Sequence, residues 1–162
     1  MLRFFLLGNI YFMKKLLLSI LILVCISSTL NFKFDLNPIF SIDGVEKVCF
    51  VTKENVEGFE SVRCGDNIFN FCTLDQATEN LKTLEQAKSF QLYFSDVNLK
   101  DVFDKLKFEE ISVSEIGDIK VYCGYTPYSQ KSVLIDGKKI NVQISAMDEK
   151  LIVGFPMILT GY

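Results

Sequence analysis

Histidine and tryptophan are absent from the sequence, and these absences exclude several classes of active site. Without histidine there is no Ser–His–Asp or Cys–His nucleophilic machinery, no HExxH zinc motif and no histidine-ligated haem. P-loop and dinucleotide-binding motifs are missing too, since Gly124 and Gly154 stand beside prolines and are interpreted as isolated turn glycines. We therefore predict no metal site, no cofactor and no enzymatic activity.

Glycine and proline are also scarce. The chain has 9 Gly and 3 Pro among 162 residues, of which 49% are apolar. This composition excludes a disordered or fibrous protein, and the length suits one domain that buries its own core.

The N-terminal residues follow the order of an export signal. Lys14 and Lys15 precede an apolar run over residues 16–24, and the small residues Cys25 and Ser27 follow. A positive segment, a short apolar stretch and a small-residue cleavage site are the three regions of a secretory signal peptide. The sequence therefore predicts export, with cleavage near Ser27.

Two alternatives to cleavage remain open. One is an uncleaved membrane anchor through residues 14–30, and the other is lipidation at Cys25. Under each of them the protein is secreted or otherwise extracytoplasmic, and the N-terminal segment is its expected contact with the membrane. We divide the chain into a signal peptide or anchor at 1–27, a tether at 28–44 and a single domain at 45–162.

The charge balance is acidic beyond the N-terminal segment. Residues 1–27 contain three basic side chains and no acid, so their removal changes the formal net charge from −3 to −6. No basic stripe that could neutralise a phosphate backbone is present. We therefore exclude nucleic acid as a partner and expect an envelope protein or a cell-wall component.

Four cysteines follow the predicted signal peptide: Cys49, Cys64, Cys72 and Cys123. An even number of cysteines in an exported domain favours disulfides. The loop of the first predicted hairpin places Cys49 opposite Arg63 or Cys64, which predicts a Cys49–Cys64 bridge and leaves Cys72 for Cys123. Free buried thiols are the alternative, and a four-thiolate zinc site is disfavoured because no C-x-x-C pair occurs.

Local patterns predict strands at both ends of the domain and helices between them. Three β-rich runs are typical of an antiparallel meander, at residues 45–52, 59–64 and 68–72. A capping-box pattern at 73–76 begins one predicted helix, and Asn98 begins a second with a regular apolar stripe.

The last third of the chain is predicted to consist of strands. Asp136-Gly137 is a strong hairpin signal, and residues 139–147 alternate between apolar and polar side chains. The predicted fold is α+β, a twisted antiparallel sheet with two helices packed on one face.

Three short motifs follow one another within residues 97–162: Val-Tyr-Cys-Gly-Tyr-Thr-Pro at 121–127, Asp-Gly-Lys-Lys-Ile-Asn-Val-Gln-Ile at 136–144 and Val-Gly-Phe-Pro-Met-Ile-Leu at 153–159. Their order resembles the C-terminal half of the YwmB-like family, exported proteins of endospore-forming bacteria with a TATA-box-binding-like fold. The resemblance implies a sheet with helices on one side and a link to sporulation, and it implies no reaction. The cysteines of residues 45–95 depart from the family pattern.

Two groups of residues are candidates for binding. Tyr122, Tyr125 and Tyr128 offer broad, stiff contact area suited to an interface, with packing at the sheet edge as the alternative. Asn141 and Gln143 project opposite the apolar face of their strand, toward either solvent or a polar ligand.

These observations predict a non-catalytic, exported binding or structural module of the cell envelope. The alternative is a small extracytoplasmic enzyme, or an inhibitor of one, that uses surface carboxylates.

Overall fold

The computed structural model describes residues 34–148 and 150–159, so the predicted signal segment lies outside the described residues. The described part contains four short helices: α1 Leu36–Phe40, α2 Leu74–Glu79, α3 Leu81–Gln86 and α4 Leu99–Leu106. Its strands are β1 Val45–Thr52, β2 Glu60–Cys64, β3 Asn67–Cys72, β4 Ser89–Ser95, β5 Glu109–Ile116, β6 Ile119–Tyr125, β7 Val133–Ile135, β8 Lys138–Ile140, β9 Val142–Met147 and β10 Lys150–Phe155.

Eight of these strands form one sheet in the order β2-β3-β1-β4-β10-β9-β6-β5, and β7 and β8 form a separate hairpin. All of the strand pairs are antiparallel. The predicted α+β class with an antiparallel sheet is confirmed, but the described residues form four helices where two were predicted.

The first three strands are not the predicted meander. β2 and β3 form a hairpin, whereas β1 pairs with β3 and β4 and lies inside the sheet. Burial explains this order, because residues 48–51 are fully buried while every residue of β2 is exposed. A strand that is buried on both faces stabilises the sheet most from a central position, and a polar strand suits the edge.

The buried apolar residues form two clusters on opposite faces of the sheet. The main core joins Phe50, Leu92, Ile144 and Val153 to apolar residues of the helices. A smaller cluster consists of Cys49, Val51 and Phe69, with Phe71 and Tyr93 packed against it. Because alternate residues of a strand point to opposite faces, we call the side that carries Tyr93 the second face.

Helices α2 and α3 correspond to one predicted helix that is broken at Asn80. The predicted capping box is confirmed, since Thr73 and Gln76 exchange side-chain and backbone hydrogen bonds. The Asn80 side chain then donates to the Gln76 carbonyl at 2.8 Å, which competes with the helical backbone pattern. Among the described helices, none has the length and apolar character to cross a membrane.

The segment predicted as a tether belongs to the core from residue 34 onward. Phe34 bridges to Ser129, and α1 buries Leu36 and Ile39 against the main core. The tether prediction is therefore wrong for residues 34–44. The spacing of Phe34 and Leu36 was a sign of burial, because apolar side chains at regular spacing need a partner surface.

The predicted strand at 139–147 is two strands. The Asp136-Gly137 hairpin is confirmed, with positive φ at both residues, and it joins β7 to β8. The chain bends at Asn141 before β9 enters the eight-stranded sheet between β6 and β10.

Candidate binding surfaces

The three tyrosines do not form one surface. Tyr122 packs on the main core, with its ring 5.3 Å from that of Phe103. Tyr125 points to the other side of β6 and is 42% exposed. Tyr128 lies in the following loop, beneath the Lys107 ammonium. Packing against the main core explains Tyr122 and Tyr128, whereas Tyr125 is exposed and stays a candidate for binding.

Asn141 is buried, and its side chain bonds to the backbone of a neighbouring loop. Its side-chain oxygen accepts from the Thr126 N–H at 2.7 Å, and its amide donates to the carbonyls of Thr126 and Ser129. The Thr126 hydroxyl in turn donates to the Leu106 carbonyl at 2.6 Å, at the end of α4. Asn141 therefore fixes the loop at 126–129 against both the sheet and a helix.

Gln143 holds the C-terminal segment, which consists of the described residues 156–159. Its side-chain oxygen accepts from the Ile158 N–H at 3.0 Å, and its amide points at the Cys123 sulfur at 3.6 Å. The Ser89 hydroxyl donates to the Met157 carbonyl at 3.0 Å. These bonds anchor the segment across β9, β10 and β4, so Gln143 has a structural partner.

Two glycines that were interpreted as turn residues lie inside strands. A Cβ on Gly154 would stand 2.6 Å from the backbone of Met157 and Ile158, so only glycine lets the C-terminal segment cross β10. A Cβ on Gly124 would stand 2.4 Å from the Phe108 ring. The turn interpretation is wrong at both positions, and close packing is the physical reason.

The predicted disulfides do not form. Cys49, Cys64, Cys72 and Cys123 are free thiols. Strand β3 separates β1 from β2, which puts Cys49 and Cys64 at least about 9 Å apart, beyond the ~7 Å limit for a bridge. Five strand spacings separate Cys72 from Cys123, or about 24 Å.

Burial makes two of these thiols weak acids. It raises the pKa of Cys49 to about 12, although nearby Lys47 acts in the opposite direction, and it raises the pKa of Cys72 to about 11. Both are therefore neutral at ordinary pH and pack as small apolar groups. Across the described residues, no three His, Cys, Asp or Glu side chains come together in a way that could hold a metal ion.

A groove on the second face was not predicted. It runs over β1, β4, β10 and β9 and has a volume of about 400 Å³. The strand register places Lys47, Tyr93 and Ile152 in one row and Lys150 beside Met147 in the next. Tyr93 and Ser95 share a face of β4 because they are two residues apart, and Lys150 and Ile152 share a face of β10 for the same reason. This spacing is the sequence signal that could have indicated the surface.

Strand β5 forms a second candidate surface, at one end of the sheet order. It has eight residues, and the exposed fractions of its Val113 and Ile116 are 43% and 67%. A long edge strand with exposed apolar side chains is a template for pairing with another chain. Nothing in its sequence pattern distinguished an edge strand from an inner one.

No protein-family model, curated protein or solved structure matches this chain.

Proposed function

We propose that the protein is an exported, non-catalytic binding module of the cell envelope that adds an extended segment of a partner protein to its sheet at β5. The observation that carries this proposal is the outer position of β5 together with the exposure of Val113 and Ile116. Natural edge strands are usually short or blunted. The pairing of β5 shifts register between Glu110 and Ser112, and residues 112–116 beyond that shift continue as a regular edge. In strand addition, backbone hydrogen bonds give affinity and alternate side chains give specificity.

The charge of β5 defines the segment that fits it. The strand contains Glu109, Glu110 and Glu115 and no basic residue. Opposite charges across neighbouring strands contribute about 0.2–1 kcal/mol per pair, and like charges destabilise by similar amounts. The Glu115–Lys120 ion pair at 3.5 Å is exposed and weak, so Glu115 remains available. The partner segment therefore alternates basic and apolar residues.

The other sheet edge is a poorer candidate. β2 has five residues, and it contains both Glu60 and Arg63. Its length equals that of residues 112–116 of β5, so what disfavours β2 is its mixed charge, which gives no clear charge preference. A second copy of β5 is also disfavoured, because two glutamate-rich strands would repel each other.

The export part of the proposal is supported by the sequence. The order of Lys14-Lys15, an apolar run and small residues is typical of a signal peptide. Membership of the YwmB-like family is proposed on the motifs within 97–162, and its sheet with helices on one side agrees with a main core that takes in helix residues. N-terminal sequencing of the envelope-associated protein should give a start near Ser28, and an unprocessed cytoplasmic chain would contradict export.

Peptide titration tests the binding mode. An eight-residue peptide of alternating Lys and Val should bind with micromolar affinity and shift the amide resonances of Ser112–Ile116, whereas the Glu-Val counterpart should not bind. Glu115→Lys should weaken binding of the basic peptide at least fivefold. The matched control is Glu57→Lys, the same charge change in an exposed loop, and it should change affinity less than twofold. Equal binding of both peptides, or equal effects of both variants, would reject the proposal.

A further inference from the structure

We infer that the groove on the second face binds a single-chain anionic lipid, with the hydrocarbon chain on the apolar floor and a carboxylate head between Lys47 and Lys150. This site is separate from the β5 edge, so its failure would leave strand addition intact.

The floor of the groove suits a hydrocarbon chain. Ile152 is 2% exposed and forms its base, and the half-buried side chains of Tyr93 and Met147 form its sides. Small-molecule sites are concave, mostly apolar and about 300–1,000 Å³ in volume, and they carry a few polar groups that fix orientation. At about 400 Å³, this groove falls in that range.

The rim of the groove suits an anionic head. Lys47 lies on β1 and Lys150 on β10, with β4 between them, and both lysines are exposed. The Lys47 ammonium is 4.2 Å from the centre of the Phe71 ring, on the β3 side of β1, so its flexible side chain turns toward β4 to contact the head. Glu46 also lines the groove, so the local charge is +1 on a chain of net charge −3. Charge-assisted hydrogen bonds from lysine to carboxylate are about twice as strong as neutral ones.

Two other cavities lack this combination. One shares Glu46 and Lys47 but adds Glu60, which makes its lining acidic. The other has two lysines, yet Val56 is its one apolar side chain, and the Lys88 ammonium already donates to Asn67 at 2.6 Å. The apolar floor and the basic rim occur together in the first groove.

Calorimetry with dodecanoate below its micelle concentration tests the inference. We expect one site of micromolar affinity, and no binding of dodecyltrimethylammonium, which has the same chain and the opposite charge. Lys150→Glu should weaken dodecanoate binding at least tenfold. Lys138→Glu is the matched control, since it makes the same change on β8, outside the groove, and should alter affinity less than twofold.

The methyl resonances of two methionines locate the ligand independently of any variant. Met147 lines the groove, whereas Met157 lies in the C-terminal segment at the other end of the second face. Dodecanoate should shift the Met147 methyl and leave Met157 unchanged. The inference is overturned if dodecanoate does not bind, if the cationic detergent binds equally, if both lysine variants have equal effects, or if Met157 shifts and Met147 does not.

Discussion

The two ends of the second face of the sheet differ in what covers them. At one end the C-terminal segment crosses β10 and is bonded to Gln143 and Ser89. At the other end the same strands present Tyr93 and Ile152 in an open groove. One sheet surface is therefore covered by the chain's own backbone over part of its length and left concave over the rest.

The difference follows from two positions on β10. Gly154 and Ile152 point to the same face, and glycine leaves room for a crossing backbone while isoleucine does not. A position without a side chain can therefore specify a tertiary contact as strongly as a large side chain can.

The largest expected effect comes from adding a side chain at Gly154. Gly154→Ala should destabilise the protein by about 2 kcal/mol, because overpacking against backbone forces the segment to shift. Ser95→Ala is the control at the open end and should cost under about 0.5 kcal/mol. Urea melts measure both. Equal stability of the two variants would mean that the segment does not depend on Gly154.

Thiol labelling of Cys123 reports on the same C-terminal segment. Cys123 is 7% exposed and lies 3.6 Å from Gln143 under the covered end. In Gly154→Ala its alkylation should be about tenfold faster, which corresponds to about 1.4 kcal/mol of local opening. Cys72, on the main-core side, is the internal control and should keep its rate. Mass spectrometry of the labelled peptides reports both, and a parallel rise at Cys72 would indicate global unfolding instead.

A smaller effect is expected from the hydrogen bond alone. Gln143→Met keeps the length of the side chain but removes the acceptor for the Ile158 N–H. The loss should be about 1 kcal/mol, the typical net value of one hydrogen bond. Hydrogen exchange at the backbone N–H of Ile158 should accelerate. The backbone N–H of Asn141, which donates to the Gly124 carbonyl, should keep its exchange rate. Unchanged exchange at Ile158 would contradict the anchoring role of Gln143.

Local sequence patterns predicted local structure well. The capping box at Thr73 and the Asp136-Gly137 hairpin depend on neighbouring residues alone, and both are present. The strand order was missed because it is decided by burial across the whole sheet, where β1 occupies the centre and β2 the edge. Turn chemistry carries no information about such long-range pairing.

The candidate site residues were harder to predict for a related reason. Asn141 sits in an alternating pattern, in which a polar residue is expected to face water, yet its partners lie 12 and 15 residues away in the chain. The groove residues Tyr93 and Ile152 lie 59 residues apart in the chain, and only the strand register brings them together. A single sequence shows the alternation of each strand but not which strands will be neighbours.

The hairpin of β7 and β8 has a practical consequence. It pairs with itself outside the eight-stranded sheet, its tip at Asp136 and Gly137 is exposed, and Asn141 secures the chain where it re-enters the sheet. Extra residues grafted between Asp136 and Gly137 would lengthen a free loop, and loop-closure entropy grows only slowly with length. The tip lies beside β5, because the Lys138 ammonium donates to the Ile111 carbonyl at 3.4 Å. A fluorescent label at the tip would therefore report on strand addition at β5.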